Sequence, residues 1–286
     1  MTAAVATPLP PTAARDRHRE SEPLAPHAAL APGYTVVEHL DRGRLLDVYE
    51  VWSADRDCRC IAKALIPERR HEPRGRARLL REGRLLQRFT HPHIVRGYET
   101  LEGPQPLVIM ELLSGATLEH LIDHAPRRLS WDALVYLGLH LCSAMHYMHG
   151  QDYLHLDLKP ANVVVGDDGR VRVIDLSLAR RPQRSRGGMG TRPYMPPEQA
   201  AGGHLGPAAD VWGIGAVLFE AATGRQPFPN DGSEYPQLQR RADPVRQRRR
   251  LPPALAGAID ACLEPDVSQR STLCELAGAL KGLEPA

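Results

Sequence analysis

The chain has 286 residues, 42% hydrophobic and 24% charged, which is enough for a sizeable core, and its formal net charge of +2 supplies no global basic field for nucleic acid or an anionic membrane. Cys58, Cys60, Cys142, Cys262 and Cys274 form neither an even disulfide framework nor a zinc spacing, because one residue separates Cys58 from Cys60, so reduced thiols are expected. No stretch reaches the roughly 18 apolar residues of a membrane span and no apolar signal run opens the chain, so a cytoplasmic protein without membrane partners is expected.

Residues 1–32 are dominated by Ala and Pro with no apolar period, which predicts a disordered tail. From Tyr34 the pattern changes to short β-branched or aromatic runs: Tyr34 to Leu40, Asp47 to Trp52 and Arg59 to Leu65, read as three antiparallel strands. Leu79, Leu80, Leu85 and Leu86 recur at helical spacing between Arg74 and Phe89, and His91-Pro92 ends that helix. Ile94 to Thr100 and Leu107 to Leu112 add two strands. Beyond Ser114 the period becomes mainly helical, over Thr117 to His124, Trp131 to His149, Ala208 to Thr223, Pro253 to Cys262 and Leu273 to Leu283. The expectation is an α+β fold of two lobes, a small antiparallel sheet with one helix over 33–112 and a mostly helical part over 114–284. A hinge near Glu111 to Ser114 would make the cleft between them the ligand site.

Residues 155–162 read His-Leu-Asp-Leu-Lys-Pro-Ala-Asn, followed by Val-Val-Val, an Asp-Asp-Gly turn and Val-Ile-Asp-Leu-Ser. Phosphoryl transfer asks little covalent work of a protein and much placement: a carboxylate to orient the attacking hydroxyl, and oxygen ligands to hold a divalent cation on the phosphates. Asp157, Asn162 and Asp175 are candidates for those groups. Of 36 basic residues only Lys63, Lys159 and Lys281 are lysine, and two of these fall where such a site needs an ammonium.

In this order the motifs resemble the eukaryotic-like (Hanks-type) serine/threonine protein kinase domain over about residues 34–284. The resemblance implies a two-lobed kinase fold, ATP with Mg²⁺ or Mn²⁺, and protein acceptors bearing Ser or Thr, with autophosphorylation and no nucleic-acid partner. Lys63 would bridge the nucleotide phosphates and pair with Glu82; the Glu111 carbonyl and Leu113 amide would meet the adenine edge; Leu40, Gly43 and Val48 would cover the nucleotide. Asp157 would orient the substrate hydroxyl, Lys159 steady the γ-phosphate, and Asn162 and Asp175 ligate the metal. Lys159, together with Gly190-Thr191, resembles Ser/Thr rather than Tyr kinases, and Glu198 would pair with Arg270. His155 would hold the catalytic loop by packing and backbone hydrogen bonds.

Three departures stand out. Asp41-Arg-Gly43-Arg-Leu-Leu46 keeps the middle of three loop glycines, and Ile61 thickens the adenine roof. Leu156 replaces the arginine that receives an activation-segment phosphate in the family, so activity independent of that phosphate is expected. Asp175-Leu176-Ser177 stands for Asp-Phe-Gly: the metal ligand is kept, Leu176 fills the apolar slot loosely, and Ser177 stiffens the segment. A pseudokinase scaffold is the rival reading, opposed by the joint presence of Lys63, Glu82, Asp157, Asn162 and Asp175; a small-molecule phosphotransferase is opposed by the peptide-docking run 190–198. Arg240-Arg241 and Arg246 to Arg250 read as a solvated charge run, and the histidines 140, 146, 149 and 155 as no metal set. Compared with receptor-type bacterial kinases, no sensor region follows residue 286, so the input is expected from a partner or from the tail.

Overall fold

The computed structural model describes residues 21–124, 127–229 and 234–284. A six-stranded antiparallel sheet of order β1-β2-β3-β4-β6-β5 forms the upper lobe, from β1 (Ala29–Ala31), β2 (Tyr34–Arg42), β3 (Leu46–Ser53), β4 (Cys58–Leu65), β5 (Gly97–Leu101) and β6 (Leu107–Glu111). The pleat sorts its side chains. Cys60, Ala62 and Ala64 of β4 are buried with Tyr34, Val36, Tyr49 and Val51 in one cluster, while Ile61 and Lys63 alternate onto the other face. Register places Val48 directly across from Lys63.

On that second face lies α1 (Pro73–Arg88), whose buried stripe is Leu79, Glu82, Gly83 and Leu86, at helical spacing. Close approach to β5 is possible because residue 97 is glycine: a Cβ there would stand 2.7 Å from Leu86 Cβ. The predicted strand from Ile94 is shorter than expected. It begins at Gly97, because Ile94 bridges Val173 and Val95 donates to the Val173 carbonyl, tying this segment to the lower lobe.

The lower lobe comprises β7 (Ala116–Thr117), α2 (Leu118–His124), α3 (Trp131–Gly150), the β8 (Val163–Val165) and β9 (Val171–Val173) hairpin, β10 (Gln183–Arg184), α4 (Pro197–Ala201), β11 (His204–Leu205), α5 (Pro207–Thr223), α6 (Pro253–Cys262) and α7 (Leu273–Lys281). Helix α5 is its axis; nearly every residue from Ala209 to Ala222 is buried, so its sequence is apolar all round. The main core runs from Leu79 and Leu86 of α1 through Leu176 to α3, α5 and α7. Leu176 is fully buried in it, so the slot expected to be loosely filled is closed.

One expectation is corrected. Composition predicts a disordered tail through residue 32, but residues 21–32 are ordered: β1 pairs with β2, Leu24 and Leu30 pack against the Tyr34–Tyr49 cluster, and the Leu24 amide donates to the Tyr49 hydroxyl at 3.2 Å. Two leucines and a strand edge outweigh a Pro/Ala-rich composition. Residues 1–20 of the expected tail lie outside the described residues. Three arginines of 240–250 find partners in their own lobe: Arg241 meets Glu264, Arg248 meets Asp243 at 2.6 Å, and Arg249 donates to the Ala222 carbonyl at 3.0 Å.

The junction of the lobes contains a stacked histidine pair, His93 and His140, with ring centroids 4.1 Å apart. His93 Nδ1 meets the Val171 carbonyl at 2.8 Å, and His140 Nδ1 is buried without a partner among the described residues. Burial, then His93 and Arg170, push His140 from 6.5 down to about 4. With the folded value below the unfolded one, the unfolded chain binds the extra proton, so stability is present above about pH 6.5 and is lost as pH falls toward 4. His91 and His155 are shifted the same way, chiefly by burial. We expect the melting temperature to drop between pH 7 and pH 5, and His140→Phe, measured side by side, to lose less.

Candidate active site

Lys63 reaches from β4 to Glu82 of α1, Nζ to Oε1 at 2.6 Å, with the Glu82 side chain fully buried. A carboxylate there is tolerable only beside a cation. Burial works against the Lys63 charge, but Asp175 and Glu82 more than offset it and push the ammonium up to about 12. Asp175 is held well below the usual carboxylate range: burial opposes ionisation, and Lys63 and the Ser177 amide override it. The Ser177 N–H donates to Asp175 Oδ1 at 2.8 Å.

The loop 155–162 is suspended from α5. Asp210, at its first turn, accepts from the His155 amide at 2.9 Å, the Leu156 amide at 2.8 Å and His149 Nε2 at 2.8 Å. Leu156 sits at φ +66°, a region a β-carbon disfavours, and is held there by Asp210 below and by Gln199 Nε2, which donates to its carbonyl at 2.8 Å. Its side chain closes a small apolar cluster with Leu154, Leu205 and Ala209. His155 is fully buried, its protonation pushed down by burial, and its Nδ1 accepts from the Asp157 amide at 3.2 Å.

These contacts fix Asp157. Oδ1 accepts from both the amide and the hydroxyl of Thr191, at 3.0 and 2.8 Å; Oδ2 faces Asn162 Nδ2 at 3.3 Å and Lys159 Nζ at 3.6 Å. Lys159 also donates to Thr191 Oγ1 at 3.0 Å. Gly190, at φ +135°, lets the chain enter here, since a Cβ would lie 2.6 Å from Gln199 Nε2. The Asn162 amide nitrogen is bound to the Asp157 carbonyl at 2.9 Å, so its oxygen is the atom available to a cation. Asn162 and Asp175 thus offer oxygen donors alone, suited to a hard divalent ion that keeps water and phosphate ligands. Consistent with that open arrangement, no group of three or more His, Cys, Asp or Glu side chains could hold a metal by itself among the described residues.

Among the residues expected to meet the nucleotide, Gly43 begins the β2–β3 turn and its amide donates to the Leu46 carbonyl at 2.9 Å. Leu40 is exposed, Val48 and Leu113 are half-buried, and Glu111 ends β6 with Oε1 accepting from the Arg96 amide at 2.7 Å. Two arrangements went unforeseen. Arg42 grips buried Asp47 through two hydrogen bonds of 2.7 and 2.9 Å, with His39 at 3.0 Å, closing the loop ionically where glycines are missing. Arg78 and Arg81 of α1 both reach Ser177. The cross-strand spacing of Arg42 and Asp47 could have signalled the first; an arginine-rich helix gave no signal for the second.

Residues 34–279 match the protein kinase domain family, and the chain belongs to it. Among curated relatives it is 32% identical over 251 residues to the DNA damage-responsive serine/threonine-protein kinase RqkA of Deinococcus radiodurans, an alignment covering 83% of this chain and 36% of that protein. To the serine/threonine-protein kinase PknB of Mycolicibacterium smegmatis it is 30% identical over 238 residues, 77% of this chain and 37% of PknB. The chain therefore spans about a third of the length of these relatives. No helix among the described residues is long and apolar enough to cross a membrane.

Proposed function

We propose that the chain is a serine/threonine protein kinase that transfers the γ-phosphate of ATP, with Mg²⁺ or Mn²⁺, to hydroxyls of protein acceptors, itself included. The observation that carries this reading is the convergence of Lys63, Glu82, Asp157, Lys159, Asn162 and Asp175 from four separate segments, with Thr191 of a fifth joining Asp157 to Lys159. The bound cation would neutralise charge developing on the phosphates. Asp157 Oδ2, the oxygen not taken by Thr191, orients the acceptor hydroxyl and receives its proton. Lys63 contacts the nucleotide phosphates as a point charge, kept in place by Glu82; Lys159 faces the transferred group; Asn162 and Asp175 hold the metal. Leu40, Gly43, Val48 and the backbone of Glu111 and Leu113 take the nucleoside end. The resting place of this kinase is the cytoplasm.

The test is incubation with labelled ATP, Mg²⁺ or Mn²⁺ and a generic basic acceptor protein, beside Lys63→Ala and Asp157→Asn controls. Label on protein Ser or Thr is expected in the parent only. No label and no nucleotide-induced thermal shift would instead assign a scaffold role, and label confined to metabolites a small-molecule phosphotransferase.

Leu156 makes a further expectation concrete. Its buried apolar cluster offers no cation to a phosphate, and the Thr191 hydroxyl is already bonded to Asp157 and Lys159. Phosphatase-treated protein should keep its initial rate. Loss of rate that returns on phosphorylation of Ser185 or Thr191 would count against it.

A further inference from the structure

The residue after Leu176 is held from three sides. Ser177 is buried, 4% exposed; its amide donates to Asp175 Oδ1 at 2.8 Å, its hydroxyl accepts from Arg78 Nη2 at 2.6 Å, and its carbonyl accepts from Arg81 Nη2 at 2.8 Å. Arg78 and Arg81 are three apart on α1, and Glu82 follows Arg78 by four, so all three project from one face of the helix. The same helix face thus carries the carboxylate that positions Lys63 and the guanidiniums that hold the Asp175 segment. A glycine at 177 could keep the amide and carbonyl contacts but not the one to Arg78. Charge-assisted hydrogen bonds to a buried hydroxyl are stronger than neutral ones, and removing one partner leaves the other unsatisfied.

We infer that Ser177 is a positioning residue: through Arg78 it pins α1 to the Asp175 segment, so that the Lys63–Glu82 pair and the metal-binding carboxylate are assembled together without any modification of the chain. Helix α1 is thereby given one favoured seat against the Asp175 segment. Leaving that seat orphans the buried Ser177 hydroxyl, and this contact has to outweigh the repulsion that Arg81 and Arg78 exert on Arg180, whose charge is disfavoured first by burial and then by those two neighbours. This deepens the kinase reading and rests on it for its meaning, but the contact can be read without catalysis.

The experiment is a double-mutant cycle with Ser177→Ala, Arg78→Ala and the pair, alongside Arg78→Lys, which retains a donor. Amide hydrogen exchange of α1 is followed in the nucleotide-free protein, and KM for ATP and kcat are measured separately on dephosphorylated samples. Either truncation is expected to speed exchange across α1 several-fold and to raise KM for ATP, with the global denaturation midpoint nearly unmoved; the pair should be no worse than either alone, and Arg78→Lys should recover part of the loss. Unchanged α1 exchange in Ser177→Ala, or effects of the two truncations that simply multiply, would overturn the inference. If no variant or parent transfers phosphate, the exchange data still decide the clasp while the kinase reading fails on its own.

Discussion

Asp157→Asn is expected to lower kcat by roughly 10² to 10⁴-fold, the span of a positioned proton acceptor, while KM for ATP changes little. The phosphate contact assigned to Lys63 and the metal contacts assigned to Asn162 and Asp175 do not run through this carboxylate, so binding should survive. What is lost has two parts. The amide cannot take a proton from the acceptor hydroxyl, and the group placed at Oδ2 becomes a donor facing two others, Asn162 Nδ2 at 3.3 Å and Lys159 Nζ at 3.6 Å. The Thr191 contacts at Oδ1 can persist, so the fold should not suffer. Steady-state kinetics with an acceptor protein, plus a nucleotide-binding titration, separate the two. A variant that retained its rate would remove Asp157 from the reaction.

Arg270→Ala should be the most destabilising single change considered, at about 3–5 kcal/mol, against about 5–15 kcal/mol for a whole domain. Its guanidinium is fully buried and bidentate to Glu198, at 2.7 and 2.9 Å. It also donates to the carbonyls of Glu264 at 2.9 Å and Ala208 at 2.9 Å, and lies 5.0 Å from the Trp212 ring centroid. Truncation strands a carboxylate and several acceptors at once. Arg270→Lys keeps the charge but not the fork and should recover only part. Urea midpoints of the two variants check this; a shift in Arg270→Ala no larger than that of a surface substitution would refute it. Because Glu198 lies in the first turn of α4 and closes the run 190–198 proposed to dock peptides, the folded fraction should also be impaired toward protein acceptors more than toward ATP.

Much of this was legible from residue order because it depends on local spacing. The three strands from Tyr34 to Leu65, the α1 stripe around Glu82 and the octapeptide from His155 to Asn162 each carry their period or their chemistry within a dozen residues, and the structure brings them together as the resemblance implied. Arg270 with Glu198 and Thr191 with Asp157 were reachable only through that resemblance. The remainder depended on through-space company. Ser177 read as a stiffer glycine, since nothing in a helix with Arg74, Arg76, Arg78 and Arg81 says which guanidinium turns inward. Asp210 read as the start of a helix, while its acceptance of two amides 54 and 55 residues away is a property of the folded lobe. Residues 21–32 read as disordered because strand pairing to an exposed edge leaves little mark on composition.

Suspension of the catalytic loop from α5 divides the machinery into halves of unequal robustness. The acceptor-orienting half inherits the rigidity of the thickest part of the protein, whereas the ammonium and its partner carboxylate ride on a thin roof of strands and one helix. On the proposed reading, alterations in the roof tune how firmly a nucleotide is gripped without disturbing how the acceptor is aimed. That is the tier where the Asp41–Leu46 turn and Ile61 both lie.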